Sequence, residues 1–237
     1  MGSVPHSYCC LDIETTGLES PEITCIATLV VNPKKNQTHS RVWYKKLGEV
    51  MDNAGISILV DYIYSLHIGG IPIVTFNGAG FDLKVIHDCL APEETVRQNY
   101  CKQIALEHHD VMLKFTCENG FFSSLQSFLD ASDCKISKTG KGEDAISAWM
   151  GPTATKTTQE GVLDYCKNDV LCLSHVYSQL WKPGPTKRKT KSGRIQEWNH
   201  DHELTVQICL EKYMANPPEN SWMRNPPDVM FITEWAR

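Results

Sequence analysis

Apolar side chains in this chain fall first into short runs and later into helical spacing. Ser7 to Ile13 is apolar or small and closes on an acidic turn, which predicts a buried strand whose C-terminal end carries function. Ile23 to Asn32 and His39 to Lys46 predict two more strands. The first is rich in Ile, Thr and Val, and the second sets Val42 and Tyr44 against Arg41, Trp43 and Lys45. Pro33-Lys34-Lys35-Asn36 supplies the turn between them. Val50 to His67 places Ile56, Leu59, Val60, Ile63, Tyr64 and Leu66 at helical spacing and stops at Gly69-Gly70. A fully apolar strand follows over Ile71 to Phe76. Helical patterns then cover Phe81 to Leu90, Glu93 to His108, Phe122 to Ala131, Glu143 to Met150 and Thr158 to Trp181. This order describes an α/β protein, a mixed sheet with helices on its faces.

The pattern breaks at Lys182. From there to Arg194 the chain has six cations, two prolines and two glycines, and no apolar side chain besides the prolines. Such a run cannot form a core and is expected to be a linker or loop. Ile195 to Met214 predicts another helix. The tail repeats Asn-Pro-Pro at Asn216 and Asn225 and is expected to lie extended and docked, because Trp222, Met223, Phe231, Ile232 and Trp235 need burial. The expected division is a domain over 1–181, a basic linker or loop over 182–194 and a C-terminal extension over 195–237.

Composition adds exclusions. The 237 residues are 41% hydrophobic and 22% charged, as in an ordinary globular protein. Lys plus Arg number 23 against 28 acidic residues, a net charge of -5, which argues against a generic sheathing binder of nucleic acid. Ile23 to Val31 falls far below the roughly 20 apolar residues of a membrane helix, and the N-terminus lacks a secretory pattern. The expectation is an intracellular protein, cytoplasmic or nuclear and without a membrane partner, whose ten cysteines are reduced thiols. No Cys-x-x-Cys pair occurs, which argues against structural zinc. Phosphate-binding Gly-x-x-x-x-Gly-Lys-Ser/Thr, Gly-x-Ser-x-Gly and a dinucleotide Gly-x-Gly-x-x-Gly after a strand are likewise missing.

Three short motifs carry candidate chemistry. In Asp12-Ile13-Glu14-Thr15-Thr16-Gly17-Leu18, residues two apart on a strand share a face, so Asp12 and Glu14 project together while Ile13 enters the core. Carboxylates that close repel unless a cation sits between them, and hard divalent ions prefer oxygen ligands. In Asn77-Gly78-Ala79-Gly80-Phe81-Asp82, a buried strand passes through two glycines into a helix whose first turn favours an acid. In Tyr165-Cys166-Lys167-Asn168-Asp169, the phenol and the carboxylate lie four apart on one helical face.

Together these segments resemble the DEDD, or DnaQ-like, superfamily of 3′-5′ exonucleases in its tyrosine-bearing (DEDDy) branch. Asp12-x-Glu14 is similar to the first family motif, Asn77-xxx-Phe81-Asp82 to the second and Tyr165-xxx-Asp169 to the third. The last two are especially similar to the proofreading exonuclease domains of B-family DNA polymerases. Asp110-Val111-Met112, Ser124-Leu125 and Gly140 to Ala145 look like connecting segments of the family, so the similarity spans about residues 7 to 181. It implies a ribonuclease-H-like fold with four carboxylates on one edge of the sheet, holding two divalent cations, Mg2+ or Mn2+. It further implies that Asp12 bridges both ions, that Glu14 and Asp169 complete the water-activating site, and that Asp82 holds the second ion. An ordinary phenol, with a pKa near 10, keeps its proton at neutral pH, so Tyr165 is expected to orient the attacking water. The resemblance places Thr15, Leu18, Asn77 and Phe81 at the substrate, with Leu18 as a wedge against terminal bases.

The implied activity is removal of nucleoside 5′-monophosphates from the 3′ end of a single strand, DNA favoured. The alternatives are an exoribonuclease, or a non-catalytic binding or scaffold module whose tryptophan-rich tail docks a polymerase or helicase. The basic run is expected to track phosphates, to serve as a nuclear address, or to be a solvated linker.

Overall fold

The computed structural model describes residues 7–132, 142–218 and 228–237. Its first strand, β1 (Tyr8–Thr15), is antiparallel to β2 (Ile23–Asn32), and β2 to β3 (Gln37–Trp43). A 3-10 turn at Pro33–Lys35 joins the last two, with Asn36 left-handed at φ 49°. Helix α1 (Asn53–Ile68) starts where Asp52 accepts the Gly55 amide. The chain then returns as β4 (Ile73–Thr75), parallel to β1 through Cys9↔Ile73 and Cys10↔Val74. The strand is shorter than the apolar run Ile71 to Phe76. Pro72 has no N–H, and Asn77 leaves the strand at φ 76°.

Helices α2 (Asp82–Asp88) and α3 (Thr95–Glu107) follow, then the two-residue strand β5 (His109–Asp110), parallel to β4. Sequence periodicity does not find β5, because two residues carry no period. Next come α4 (Val111–Asn119), α5 (Leu125–Leu129), α6 (Gly142–Met150) and α7 (Lys156–Gln179). A capping box between Thr155 and Thr158 starts α7 two residues before the expected Thr158. The sheet order is β3-β2-β1-β4-β5, a mixed sheet flanked by helices.

Both faces of β1 are buried. Tyr8 and Cys10 pack with Cys25, Ala27, Phe115, Phe128 and the α7 residues Cys166, Val170 and Leu173. Cys9, Leu11 and Ile13 pack with Ile26, Leu59, Ile63, Leu83 and Ile104 from β2 and α1 to α3. Trp43, grouped by alternation with Arg41 and Lys45, is buried in this second layer; Arg41 lies 3.5 Å over its ring. The nine described cysteines are free thiols. Among the described residues, no helix is long and apolar enough to cross a membrane.

Part of the basic run is regular structure. It folds into β6 (Thr186–Lys189), paired antiparallel with β7 (Ile195–Trp198). The physical reason is side-chain anchoring from a strand that has little apolar content of its own. Thr186 is buried, and Arg188 sits 4.7 Å over the Phe121 ring and 5.3 Å over Phe115. Trp198 is buried and donates to the Glu118 carboxylate at 2.6 Å. The helix expected over Ile195 to Met214 is therefore only α8 (Val206–Ala215). Its Val206, Cys209 and Leu210 pack on Leu113 and Cys117 of α4 and on Val229 of α9 (Val229–Ile232). A final 3-10 turn covers Glu234–Ala236. The expectation of a buried tail fails at Phe231, which is 73% exposed, because Val229 and Thr233 form the inward side. Trp222 and Met223 lie outside the described residues, as do Gly140 and Lys141.

Candidate active site

The site is assembled at the C-terminal end of β1. Asp12 and Glu14 are half-buried while Ile13, between them, is in the core, so alternation along the strand puts both carboxylates on the α7 side. Oxygens of Asp12 and Glu14 and the Cys166 sulfur all lie within 4.8 Å of one another. The pairing register with β2 shifts directly afterwards, between Glu14 and Thr15, as the chain leaves the sheet.

Asp82 reaches the same place from the other side. It opens α2, is buried at 5% exposure, and accepts the Ile13 amide through Oδ1 at 3.2 Å. The amide between the two strand carboxylates thus fixes the third. Close packing supports the turn leading to it. A Cβ on Gly78 would come within 2.4 Å of the Thr75 hydroxyl, and one on Gly80 within 2.9 Å of both Asn77 Oδ1 and Ile232 Cγ2. Asp110 holds the turn from beneath, accepting the amides of Asn77, Ala79 and Leu113 at 3.0 Å each.

Helix α7 supplies the remaining groups. Cys166 donates its thiol to the Asp12 carbonyl at 3.6 Å, which sets this helix against β1. Asp169 lies three residues on and Tyr165 four residues before that, all on the face turned to the sheet; Asp169 is 4% and Tyr165 9% exposed. The contact with Cys25 and complete burial push the Cys166 thiol well above its ordinary value, and the charges of Asp12 and Glu14 add to this. Sulfur is a soft donor, so the groups here suited to a hard divalent ion are the carboxylate oxygens.

The expected substrate residues separate. Leu18, 84% exposed, and Phe81 line one cavity of about 590 Å³. Asn77 lines a neighbouring one of about 680 Å³, and Gly80 and Lys84 belong to both. Thr15 is not turned to them, since its hydroxyl donates to the Gly17 carbonyl at 2.9 Å within the turn. The sequence motifs contain Asp110 and Cys166 but give neither a role. An acid immediately before an apolar helical run is an N-cap signal and marks Asp110, and Cys166 stands in the Tyr-Cys-xx-Asp pattern of the third motif.

A family model described as the RNase_H superfamily matches residues 9–181. A search of curated proteins finds no match. Among solved structures, the zinc-bound form of an Escherichia coli exonuclease I complex with single-stranded DNA is 14% identical, with a TM-score of 0.38, covering 74% of this chain and 44% of that one. E. coli exonuclease I in complex with a dA16 oligonucleotide is 16% identical, also at 0.38, covering 68% and 43%. The chain therefore spans less than half the length of these proteins.

Proposed function

The chain belongs to the RNase_H superfamily and has its mixed sheet flanked by helices, and from that premise we propose that it is a metal-dependent 3′-5′ exonuclease of the DEDDy type acting on single strands. The observation that carries the reading is the Asp12–Glu14 pair, whose oxygens lie within 4.8 Å, with Asp82 bonded to the amide between them. Carboxylates that close are poorly suited to a merely structural role.

The oxygen donors of Asp12, Glu14, Asp82 and Asp169 fit two hard divalent cations, Mg2+ or Mn2+, which when bound supply a hydroxide at neutral pH and stabilise the leaving 3′ oxygen. The chain's own groups do the positioning. Asp82, held by the Ile13 amide, fixes the distance between α2 and β1. Tyr165 directs its hydroxyl toward the attacking water as a hydrogen-bond partner. Leu18, exposed at the mouth of its cavity, separates the terminal base from its neighbour, with Phe81 beside it. DNA is favoured over RNA because motifs two and three match the proofreading pattern. By this reading residues 1–181 are the nuclease unit and the rest an appendage to it.

The test uses matched 5′-labelled DNA and RNA strands with magnesium, manganese or chelator. Stepwise shortening from the 3′ end is expected, dependent on metal and faster on DNA. Asp12→Ala should abolish it, and Tyr165→Phe should slow it about 10- to 100-fold while metal binding survives. Full activity in Asp12→Ala would overturn the assignment, and no shortening under any metal would leave the chain a binding module.

A further inference from the structure

Two aromatic rings stand exposed beside the carboxylate edge. Phe122 is 51% and Phe231 73% exposed, and both line the cavity of about 680 Å³ that Asn77, Gly80 and Lys84 also line. Gly80 and Lys84 are shared with the cavity of Leu18 and Phe81, so the two open along one surface, past the start of the helix that carries Asp82. Folding ordinarily removes aromatic rings from water, and two left out in one hollow make a stacking surface.

The position of Phe231 is built, not incidental. Trp235 donates its indole N–H to the Ala79 carbonyl at 2.8 Å, and Ile232 packs so closely on Gly80 that a Cβ there would stand 2.9 Å from its methyl. The tail is thereby fastened to the turn before Asp82, with Phe231 facing outward. On the other side, the residues flanking Phe122 lead to positive charge. Phe121 carries the Arg188 guanidinium at 4.7 Å over its ring, and Ser123 lies 3.4 Å from the same group. The hairpin bearing Arg188 exposes Lys187, Lys189, Lys191 and Arg194.

We propose that Phe122 and Phe231 form a nucleobase-stacking subsite for an unpaired nucleic-acid strand, lying between the carboxylates and the cationic hairpin. Aromatic faces take bases of any sequence, and cations beyond them meet the phosphates. The occupant follows from two features of the surface: it continues from the carboxylate edge, and it ends in charge opposite to that of a phosphate chain. The inference rests on the exonuclease reading and adds to it a binding element drawn in part from the tail, beyond the superfamily match at 9–181.

The test measures binding by fluorescence anisotropy, with calcium as the cation. The probes are a 12-residue oligothymidylate and the same strand made of abasic units. The wild-type protein should prefer the base-bearing strand. Phe231→Ala should reduce that preference about 10-fold, and Phe231→Trp, which keeps a stacking face, should retain it. Phe122→Ala should act in the same direction. A preference undiminished in Phe231→Ala and Phe122→Ala, or a wild-type protein indifferent to the bases, would overturn the subsite. Base-dependent binding lost in Phe231→Ala, without hydrolysis under any metal, would uphold the subsite and count against the exonuclease reading.

Discussion

A single carboxylate at Asp110 fixes the turn that presents Asp82. It is 2% exposed and accepts three amides, two from the turn and one at the start of α4. Hydrogen bonds to a charged acceptor contribute about 1.5–3 kcal/mol each before coupling, and burying amides without a partner costs about 1–3 kcal/mol. Asp110→Ala should therefore destabilise the protein by about 3–5 kcal/mol, read from urea unfolding. Asp110→Asn, which keeps one acceptor oxygen, should lose less. A loss below about 1 kcal/mol in Asp110→Ala would show that Gly78 and its packing on Thr75 hold the turn unaided. The same carboxylate shows what kind of role sequence motifs miss. Asp12, Glu14 and Asp82 stand out because they share strand parity or a helix start, whereas Asp110 acts through backbone amides 31 and 33 residues away.

At the level of elements, legibility tracks length and amphipathy. β2 and α1 were readable because ten and sixteen residues carry a full period. β5 was invisible at two residues, although it closes the edge of the sheet. The hairpin escapes the pattern because its anchors are a cation on aromatic rings and a buried threonine, neither of which a hydrophobicity pattern registers. β5 also carries a pH dependence. Burial, with the charges of His108 and Lys114, pushes His109 down to about 3, and its Nδ1 lies 2.8 Å from the Tyr177 hydroxyl. Burial likewise lowers His108, against the pull of Asp110. The unfolded chain binds protons near the ordinary value of about 6.5, so both groups contribute stability that is present above that pH and is lost as pH falls toward the folded values. Unfolding free energy should drop by about 1.4 kcal/mol per pH unit for each histidine below pH 6. His109→Gln should flatten that slope by one proton's worth. A slope unchanged in His109→Gln would mean that His109 takes a proton in the native state.

Over the whole molecule, the excess of acid over base takes on a different meaning once it is located. A net charge of -5 argues against binding a polyanion by general attraction, yet two of the acids, Asp12 and Glu14, stand together at the end of β1, with Asp82 bonded to the amide between them. Like charges within 4.8 Å raise the energy of the cation-free fold, as active-site charge commonly does. A ligand that binds the folded chain and not the unfolded one stabilises it by RT ln(1 + [L]/Kd), about 2.7 kcal/mol at a hundred times Kd. Manganese should therefore raise the melting temperature of the wild-type protein in a concentration-dependent way that chelator reverses. Asp12→Asn should respond little to manganese, because one of the proposed ligands is gone. Differential scanning fluorimetry across a manganese titration reads the difference. An equal rise in the two proteins would place the cation elsewhere.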